Sequence, residues 1–491
     1  MGLELQYLMP IIAISFFAVF SIVFDAVFLN KKFSYAFALV GFIVVIIAAA
    51  QNLAMPMSED LGIMRPDELI THNMITFGGF AAYMDILFAL GGLMTLLASR
   101  KYIIREYKEL NEYYSLLLLS VSGMMLIAHS NNLLILFIGI EIMSISFYVL
   151  AGYFRTSIKS IEAALKYFLL GAFATGFLVY GIALIYGSTG SLDLSVISSH
   201  LNAGQFENTY LLLGIGLIMI GLSFKVAAFP FHQWAPDVYH GSPTVISGFM
   251  SSAGKAAALV AFIVVMRAVI SNDSTNELLI KNRETIQLIL AFISAGTMLV
   301  GNITALVQKN VKRMLAYSSV AHAGYLLIGI VANNALGWTG VVFYATAYLF
   351  MQLGAFVILS IFERDEQSKL EISDYAGLSK SHPILAALMA VFMLSLAGIP
   401  PFAGFFGKYY LFVSAVNSGF LWLTIVAVIA SIISMYYYIN LILTMYFKDE
   451  NETQLEGTCG TARITLFISI AGLLIFGIFP FLITDITKLF F

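Results

Sequence analysis

Long apolar runs recur along the whole chain and constrain its fold more than any other feature. A helix needs about 20 apolar residues to cross the hydrocarbon core of a bilayer. Unpaired backbone is too costly in lipid for open strands, so we expect an all-α integral membrane protein of about fourteen transmembrane helices. The runs are 8–29, 33–50, 81–99, 113–129, 131–152, 161–187, 210–231, 243–270, 284–306, 312–331, 337–362, 383–415, 420–446 and 463–487.

Composition excludes several classes of protein. Hydrophobic residues make up 60% of the 491 positions and charged residues 11%, against roughly 25% charged in an average soluble domain. The net charge of −3 indicates no nucleic-acid partner. The one cysteine, Cys459, cannot form an internal disulfide or an iron–sulfur cluster. We therefore expect no cofactor and no metal in this chain.

The basic residues predict the orientation of the helices. Cytoplasmic loops of membrane proteins are enriched in lysine and arginine. One set of alternate connections carries sixteen basic residues, which are Lys31, Lys32, Arg100, Lys101, Arg105, Lys108, Arg155, Lys159, Lys309, Lys312, Arg313, Arg364, Lys369, Lys380, Lys448 and Arg463. The opposite set carries five, which are Arg65, Arg267, Lys281, Arg283 and Lys488. Both termini are expected on the non-cytoplasmic side. The first apolar run lacks a basic leader, so it is predicted to be a transmembrane helix and not a signal peptide.

Five ionisable residues fall inside predicted helices: Glu141, Lys166, Lys225, Lys255 and Lys408. On insertion scales each costs about 2.5–3.5 kcal/mol at the bilayer centre if it has no partner. They could be structural pairs, or lysines that reach the headgroups, and Lys166 is the best candidate for the latter. Alternatively they carry protons, because burial lowers the pKa of a lysine in general. Glu141 is then the natural partner of Lys225, as the only acidic residue expected deep in a helix.

Two further ionisable types have weaker patterns. His232 and His322 lie in or beside apolar runs, where a lone histidine is either a packing residue or a proton relay. Asp85 lies near the outer end of its run and is expected to be a helix cap.

Two of the predicted helices should be broken. Pro230 follows Lys225 by five residues, and the pair Pro400 and Pro401 precedes Lys408. Proline removes a backbone donor and clashes with the preceding turn. Interrupted helices in corresponding positions of two halves of a chain indicate a transport site.

A short internal repeat supports two such halves. Residues 165–173 resemble residues 348–356, and each stretch lies one helix before a predicted break. The sequence thus predicts three leading helices in 1–110, a five-helix repeat in 111–270, a second in 284–447 and a final helix in 448–491. Five is odd, so equivalent helices of the two repeats would run in opposite directions and the repeats would be inverted.

Two motifs point to a known family. Residues 229–244 read FPFHQWAPDVYHGSPT, and residues 309–319 read KNVKRMLAYSS. Both resemble the antiporter-like subunits of respiratory complex I, and the resemblance extends over about 113–447.

The resemblance implies proton translocation driven by quinone reduction in partner subunits, which would hold NADH, FMN, iron–sulfur clusters and quinone. Glu141 matches the family glutamate, Lys225 its central lysine, Lys255 the bridging lysine and Lys408 the lysine of the outer half. Lys166 matches a further family lysine, and His232 and His322 match relay positions.

Three functions stay open at this point. The first is a membrane subunit of complex I, in contact with other antiporter-like and quinone-site subunits. The second is a subunit of a multisubunit sodium/proton antiporter, and the third is a non-transporting scaffold, which would leave the buried charges unexplained. The cell inner (plasma) membrane is the expected location, ahead of a thylakoid.

Overall fold

The computed structural model describes residues 2–28, 31–54, 74–105, 112–270, 276–363, 370–449 and 460–491, and over these residues it contains helices and no β-strand longer than an isolated bridge. Twelve helical segments in these ranges are long and apolar enough to cross a membrane, if the continuous span Thr244–Val269 is counted as one. Two shorter apolar helices, Glu112–Ala128 and Pro383–Ala397, accompany them. The prediction of an all-α integral membrane protein is confirmed.

Three helices lead the chain, and the first set of five predicted runs follows them. Asn132 illustrates how the sequence starts a helix, because its side chain accepts a hydrogen bond from the backbone N–H of Leu134 and caps α5. The helices up to residue 269 are α1 (Gly2–Phe28), α2 (Lys31–Ala54), α3 (Gly79–Arg105), α4 (Glu112–Ala128), α5 (Leu133–Ala151), α6 (Ile158–Thr189), α7 (Leu194–Asn202), α8 (Asn208–Val226), α9 (Trp234–Gly241), α10 (Thr244–Phe249) and α11 (Lys255–Val269).

A π-helical turn, Met250–Gly254, joins α10 to α11. The remaining helices are α12 (Glu277–Leu306), α13 (Val311–Ala332), α14 (Ala335–Phe362), α15 (Leu378–Ser381), α16 (Pro383–Ala397), α17 (Ala403–Asn417), α18 (Leu421–Phe447), α19 (Gly460–Ile478) and α20 (Phe481–Thr487).

Both predicted helix breaks are present. The first separates α8 from α9, and Ala227 ends α8 in the left-handed region with φ of 59°. A non-glycine residue in that region costs roughly 1–2 kcal/mol, and such local strain is typical of functional sites. The second separates α16 from α17, and there Gly398 takes the left-handed conformation with φ of 86°.

The core of the molecule is formed by α10, α11, α13 and α14, whose residues are almost all buried. By contrast, α1, α6 and α18 expose many large apolar side chains, as lipid-facing helices do. A buried lysine on a central helix is therefore enclosed by protein and cannot reach headgroups. Cys459, Arg65, Lys108, Arg364 and Lys369, used in the sequence argument, lie outside the described residues.

Candidate functional site

Glu141 and Lys225 meet beside the first helix break. Lys225 is the second-last residue of α8, and Glu141 lies in the middle of α5. Their charged atoms, Lys225 Nζ and Glu141 Oε1, are 3.8 Å apart, which is an ion pair but too long for a hydrogen bond. The Lys225 side chain is 2% exposed and the Glu141 side chain 23%. The structure thus brings together the two residues that the sequence paired.

Neutral hydroxyl groups satisfy both members of this pair. Lys225 Nζ donates to Ser144 Oγ at 2.7 Å and to the Tyr148 hydroxyl at 3.4 Å. Thr175 on α6 donates to Glu141 Oε1 at 2.8 Å. Because each charge has a neutral partner, the pair can open or close without leaving either group unsatisfied.

Lys255 lies at the centre of the molecule, at the first residue of α11 after the π turn. It is 2% exposed, and its Nζ donates to both the backbone carbonyl and the hydroxyl of Ser319 on α13. These bonds connect the first set of helices to the second. Among the described residues, Lys225 and Lys255 share no hydrogen-bond partner.

His322 stands one helical turn beyond Ser319 on α13 and is fully enclosed. Its Nδ1 lies 2.6 Å from the Tyr344 hydroxyl, and its Nε2 lies 3.0 Å from the Tyr438 hydroxyl. The Tyr438 hydroxyl in turn lies 2.5 Å from Ser318 Oγ. His322 is therefore part of a polar network and not only a packing residue.

Lys408 lies on α17, and its side chain reaches back to the second helix break. Its Nζ donates to the carbonyl oxygens of Leu396 and Ala397, at 3.1 and 3.0 Å, where α16 ends. It also donates to Ser431 Oγ at 3.0 Å and lies 4.8 Å from the centre of the Tyr325 ring. The positive charge caps the negative end of a helix, and it does so inside the protein.

Lys166 differs from the other four ionisable residues, because its side chain is 40% exposed. Its Nζ lies 2.7 Å from Glu162 Oε1 and 2.8 Å from Asp237 Oδ2. Asp237 also accepts from Arg313 at 2.9 Å, so it joins α6 to α13. The sequence argument quoted Asp237 within a motif but did not identify it as a charge partner.

His232 lies in the first break and is partly buried. Its ring centre lies 5.9 Å from that of Phe229. The structure does not bring this histidine together with the buried lysines, so its relay role stays a prediction.

The expectation for Asp85 is wrong. Asp85 is the seventh residue of α3, past the first turn, so it cannot be a cap. Its buried carboxylate lies 3.0 Å from His129 Nε2. The expectation that Glu141 is the only deep acidic residue fails with it. The position of Asp85 inside the run 81–99 was a signal that could have revealed this.

Lys312 and Glu363 were also missed. The sequence argument counted Lys312 among the basic residues of the connections, yet its side chain is fully buried. Lys312 Nζ lies 3.6 Å from Glu363 Oε1.

The residues that the structure describes contain no group of three or more histidine, cysteine, aspartate or glutamate side chains able to hold a metal.

Comparison with known proteins identifies the family. Residues 130–434 match the family described as NADH:quinone oxidoreductase/Mrp antiporter, TM. The chain belongs to this family. A curated relative from Chloroherpeton thalassium, named NADH-quinone oxidoreductase subunit N 1, is 44% identical over 480 residues, which are 98% of this chain and 97% of the relative. The sequence of residues 236–239, Pro-Asp-Val-Tyr, predicts a resemblance to subunit N of this oxidoreductase, and this relative confirms it.

Solved structures agree with this assignment. A chain of respiratory complex I from Thermus thermophilus with bound aureothin matches with a TM-score of 0.81 at 32% identity, covering 97% of this chain and 99% of that one. A chain of the Mrp complex from Dietzia has a TM-score of 0.84 at 20% identity, covering 100% and 97%. The second likeness shows a shared fold only.

Proposed function

We infer that this chain is a membrane-arm subunit of an NADH–quinone oxidoreductase, complex I, and that it translocates protons while partner subunits reduce quinone. The observation that carries the inference is the Glu141–Lys225 pair, held at 3.8 Å beside a helix break in a chain whose relatives are named subunit N. A buried lysine moves a proton only if its charge can be stabilised and released in turn. A mobile ion pair does this.

The proposed topology has fourteen crossings. The twelve long helices and the two shorter apolar helices supply them, with α16 and α17 together forming one broken span. Residues 1–110 contribute three crossings, 111–270 and 284–447 form two inverted five-helix repeats, and 448–491 contributes the last. In each repeat the broken helix is the fourth, which supports this division. Both termini then face away from the cytoplasm.

The proposed proton carriers are the buried lysines in order across the molecule. Lys225 takes up a proton when Glu141 is close and releases it when the pair opens. Lys255 bridges to α13 through Ser319, and His322 with its tyrosine partners continues toward Lys408. Lys166 acts at the edge of the first repeat, and His232 is the lowest-ranked relay.

Electron transfer takes place in partner subunits, which hold NADH, FMN, iron–sulfur clusters and quinone. This chain then contributes no redox group of its own. Its partners are other antiporter-like and quinone-site membrane subunits, and its location is the cell inner (plasma) membrane. The alternative, a subunit of a sodium/proton antiporter, shares the fold, but the relatives favour complex I.

The test is NADH-driven proton uptake by inverted vesicles that contain the assembled complex with wild-type chain or with Lys225→Met. We expect the variant to lose most proton uptake in sodium-free buffer. A complex that requires sodium, or that moves sodium ions in place of protons, would support the antiporter alternative. Full proton uptake by Lys225→Met would contradict the proposed function.

A further inference from the structure

We propose that Lys312 and Glu363 form a second carboxylate–lysine pair that passes protons from the cytoplasmic side toward Lys255. The proposal rests on the proposed function and adds two residues to it. Both were absent from the sequence prediction of the site. Their arrangement repeats that of Glu141 and Lys225 at a second place in the helical bundle.

The geometry of the two pairs is the same in three respects. Lys312 Nζ and Glu363 Oε1 are 3.6 Å apart, close to the 3.8 Å of the first pair. Lys312 Nζ donates to a neutral oxygen, the Ser242 carbonyl, at 2.7 Å, as Lys225 does to a serine hydroxyl. The carboxylate of Glu363 accepts from the Tyr102 hydroxyl at 2.7 Å, as Glu141 does from a threonine.

Burial makes this pair unlike an ordinary surface ion pair. The side chains of Lys312 and Glu363 are 0% and 4% exposed. Desolvation of a buried pair can cost more than its Coulomb attraction returns. The charged atoms of this buried pair also lie too far apart for a hydrogen bond between them. A role in function explains such a pair better than a contribution to stability.

Polar atoms lead from this pair to Lys255. Thr244, Ser247, Ser251 and Lys255 follow one another at intervals of three or four residues, so they fall on one face of the α10–α11 span. The backbone N–H of Thr244 donates to the Tyr102 hydroxyl at 3.2 Å. The span therefore begins at the Lys312–Glu363 pair and reaches the central lysine.

Polar groups of the neighbouring helices α13 and α14 form a second row beside the α10–α11 span. On α13, Lys312 and Ser319 lie two turns apart on one face, and Ser319 binds Lys255. At a height between Lys312 and Ser319, Gln352 Nε2 of α14 donates to Ser251 Oγ and to the Leu315 carbonyl, each at 3.4 Å.

Two buried oxygens beside this route have no hydrogen-bond partner among the residues that the structure describes. They are Thr244 Oγ1 and Gln352 Oε1. Buried polar atoms are nearly always satisfied, and ordered water is the usual partner where protein supplies none. We infer that water molecules occupy these positions and complete the route.

The step itself conserves the proton. Lys312 Nζ in its ammonium form gives one N–H proton to the water at Thr244, and the nitrogen keeps the electron pair as a neutral amine. The proton passes by way of water at Gln352 to Lys255, whose neutral amine accepts it. Lys312 regains one proton from a hydronium ion on the cytoplasmic side, which becomes water, and Glu363 stabilises the restored positive charge.

The deciding variant is Lys312→Arg. Arginine keeps the positive charge beside Glu363 but does not release a proton in a protein. We expect the assembled complex to lose NADH-driven proton uptake by about tenfold or more, in the range of general acid–base contributions. Lys309→Arg, an exposed neighbour of the same chemistry, serves as the control and should leave uptake unchanged. If Lys312→Arg keeps wild-type uptake, the pair is a structural lock and the proposal is overturned.

Glu363→Gln gives a second measurement if arginine does not fit. It retains the shape of Glu363 and removes its charge, and uptake should again fall. Lys225→Met in the same vesicles separates the two proposals. If it abolishes uptake while Lys312→Arg and Glu363→Gln do not, only the second pair is refuted; if it has no effect, the proposed function itself fails.

Discussion

Lys225 Nζ lies 2.7 Å from Ser144 Oγ but 3.8 Å from Glu141 Oε1, so the nearest partner of this buried cation is neutral. The carboxylate in turn is held by Thr175. The ion pair is therefore poised between contact and separation. This is the arrangement expected of a switch, since neither group depends on the other for its hydrogen bonds.

Removal of the Ser144 hydroxyl should weaken proton transfer. A hydrogen bond to a charged group contributes about 1.5–3 kcal/mol, so Ser144→Ala should reduce proton flux by about ten- to a hundredfold. Ser146→Ala is the matched control, because Ser146 lies on the same helix and, within the described part of the chain, its hydroxyl donates to the Ile142 carbonyl alone. Proton flux is measured in vesicles at matched protein content. Equal losses of flux in the two variants would show that Ser144 has no special role.

Lys225→Ala should impair proton pumping more than Lys166→Ala. The Lys225 side chain is 2% exposed and the Lys166 side chain is 40% exposed, so solvent can partly replace Lys166. We expect Lys225→Ala to lower pumping by at least about tenfold, and quinone-linked turnover with it where the two are tightly coupled. Equal or reversed effects of the two variants in membrane vesicles would refute this ranking.

The second break should not tolerate a larger residue at Gly404. A methyl group there would overlap the carbonyl oxygen of Ser395, whereas at Gly176 on α6 it would meet nothing within 4 Å. Overpacking typically costs about 1–3 kcal/mol. Gly404→Ala should lower the thermal stability of the detergent-solubilised chain, and Gly176→Ala should not. A stable Gly404→Ala protein would show that the break can rearrange.

The isolated chain should carry out no redox chemistry. The full sequence contains one cysteine, which is too few to bind an iron–sulfur cluster. Purified alone, the chain should oxidise no NADH and bind no flavin, as measured by absorbance and by cofactor analysis. A redox cofactor present in stoichiometric amount would contradict the proposed division of labour.

Periodicity and proline revealed most of the fold. Apolar runs predicted the helices because lipid requires them, and Pro230 and Pro400 predicted the breaks because proline cannot donate a backbone hydrogen bond. The Glu141–Lys225 pair was also predictable, since an unpaired charge in a buried helix is too costly.

The missed residues share one cause, which is that burial depends on neighbours that one sequence does not reveal. Lys312 resembles a loop cation because it is the first residue of an apolar run, but Ser242 and Glu363, which follow α9 and α14, lie against it. Asp85 resembles a cap because it lies near the start of its run, but it is buried against His129, the residue that follows α4. Only tertiary packing distinguishes these positions from exposed ones.

The central claim is that Glu141 and Lys225 act as one device. The loss of Glu141 leaves Lys225 without its switching charge, and the loss of Lys225 leaves Glu141 with nothing to switch. Glu141→Gln and Lys225→Met should therefore each reduce proton flux to a similar low value.

The most direct test is proton flux in reconstituted vesicles that contain the assembled complex with wild-type chain, each single variant or the double variant. We predict that the double variant is little worse than either single one, with a coupling energy of roughly 0.5–3 kcal/mol. If the two losses simply multiply, the residues act independently and the paired switch is wrong.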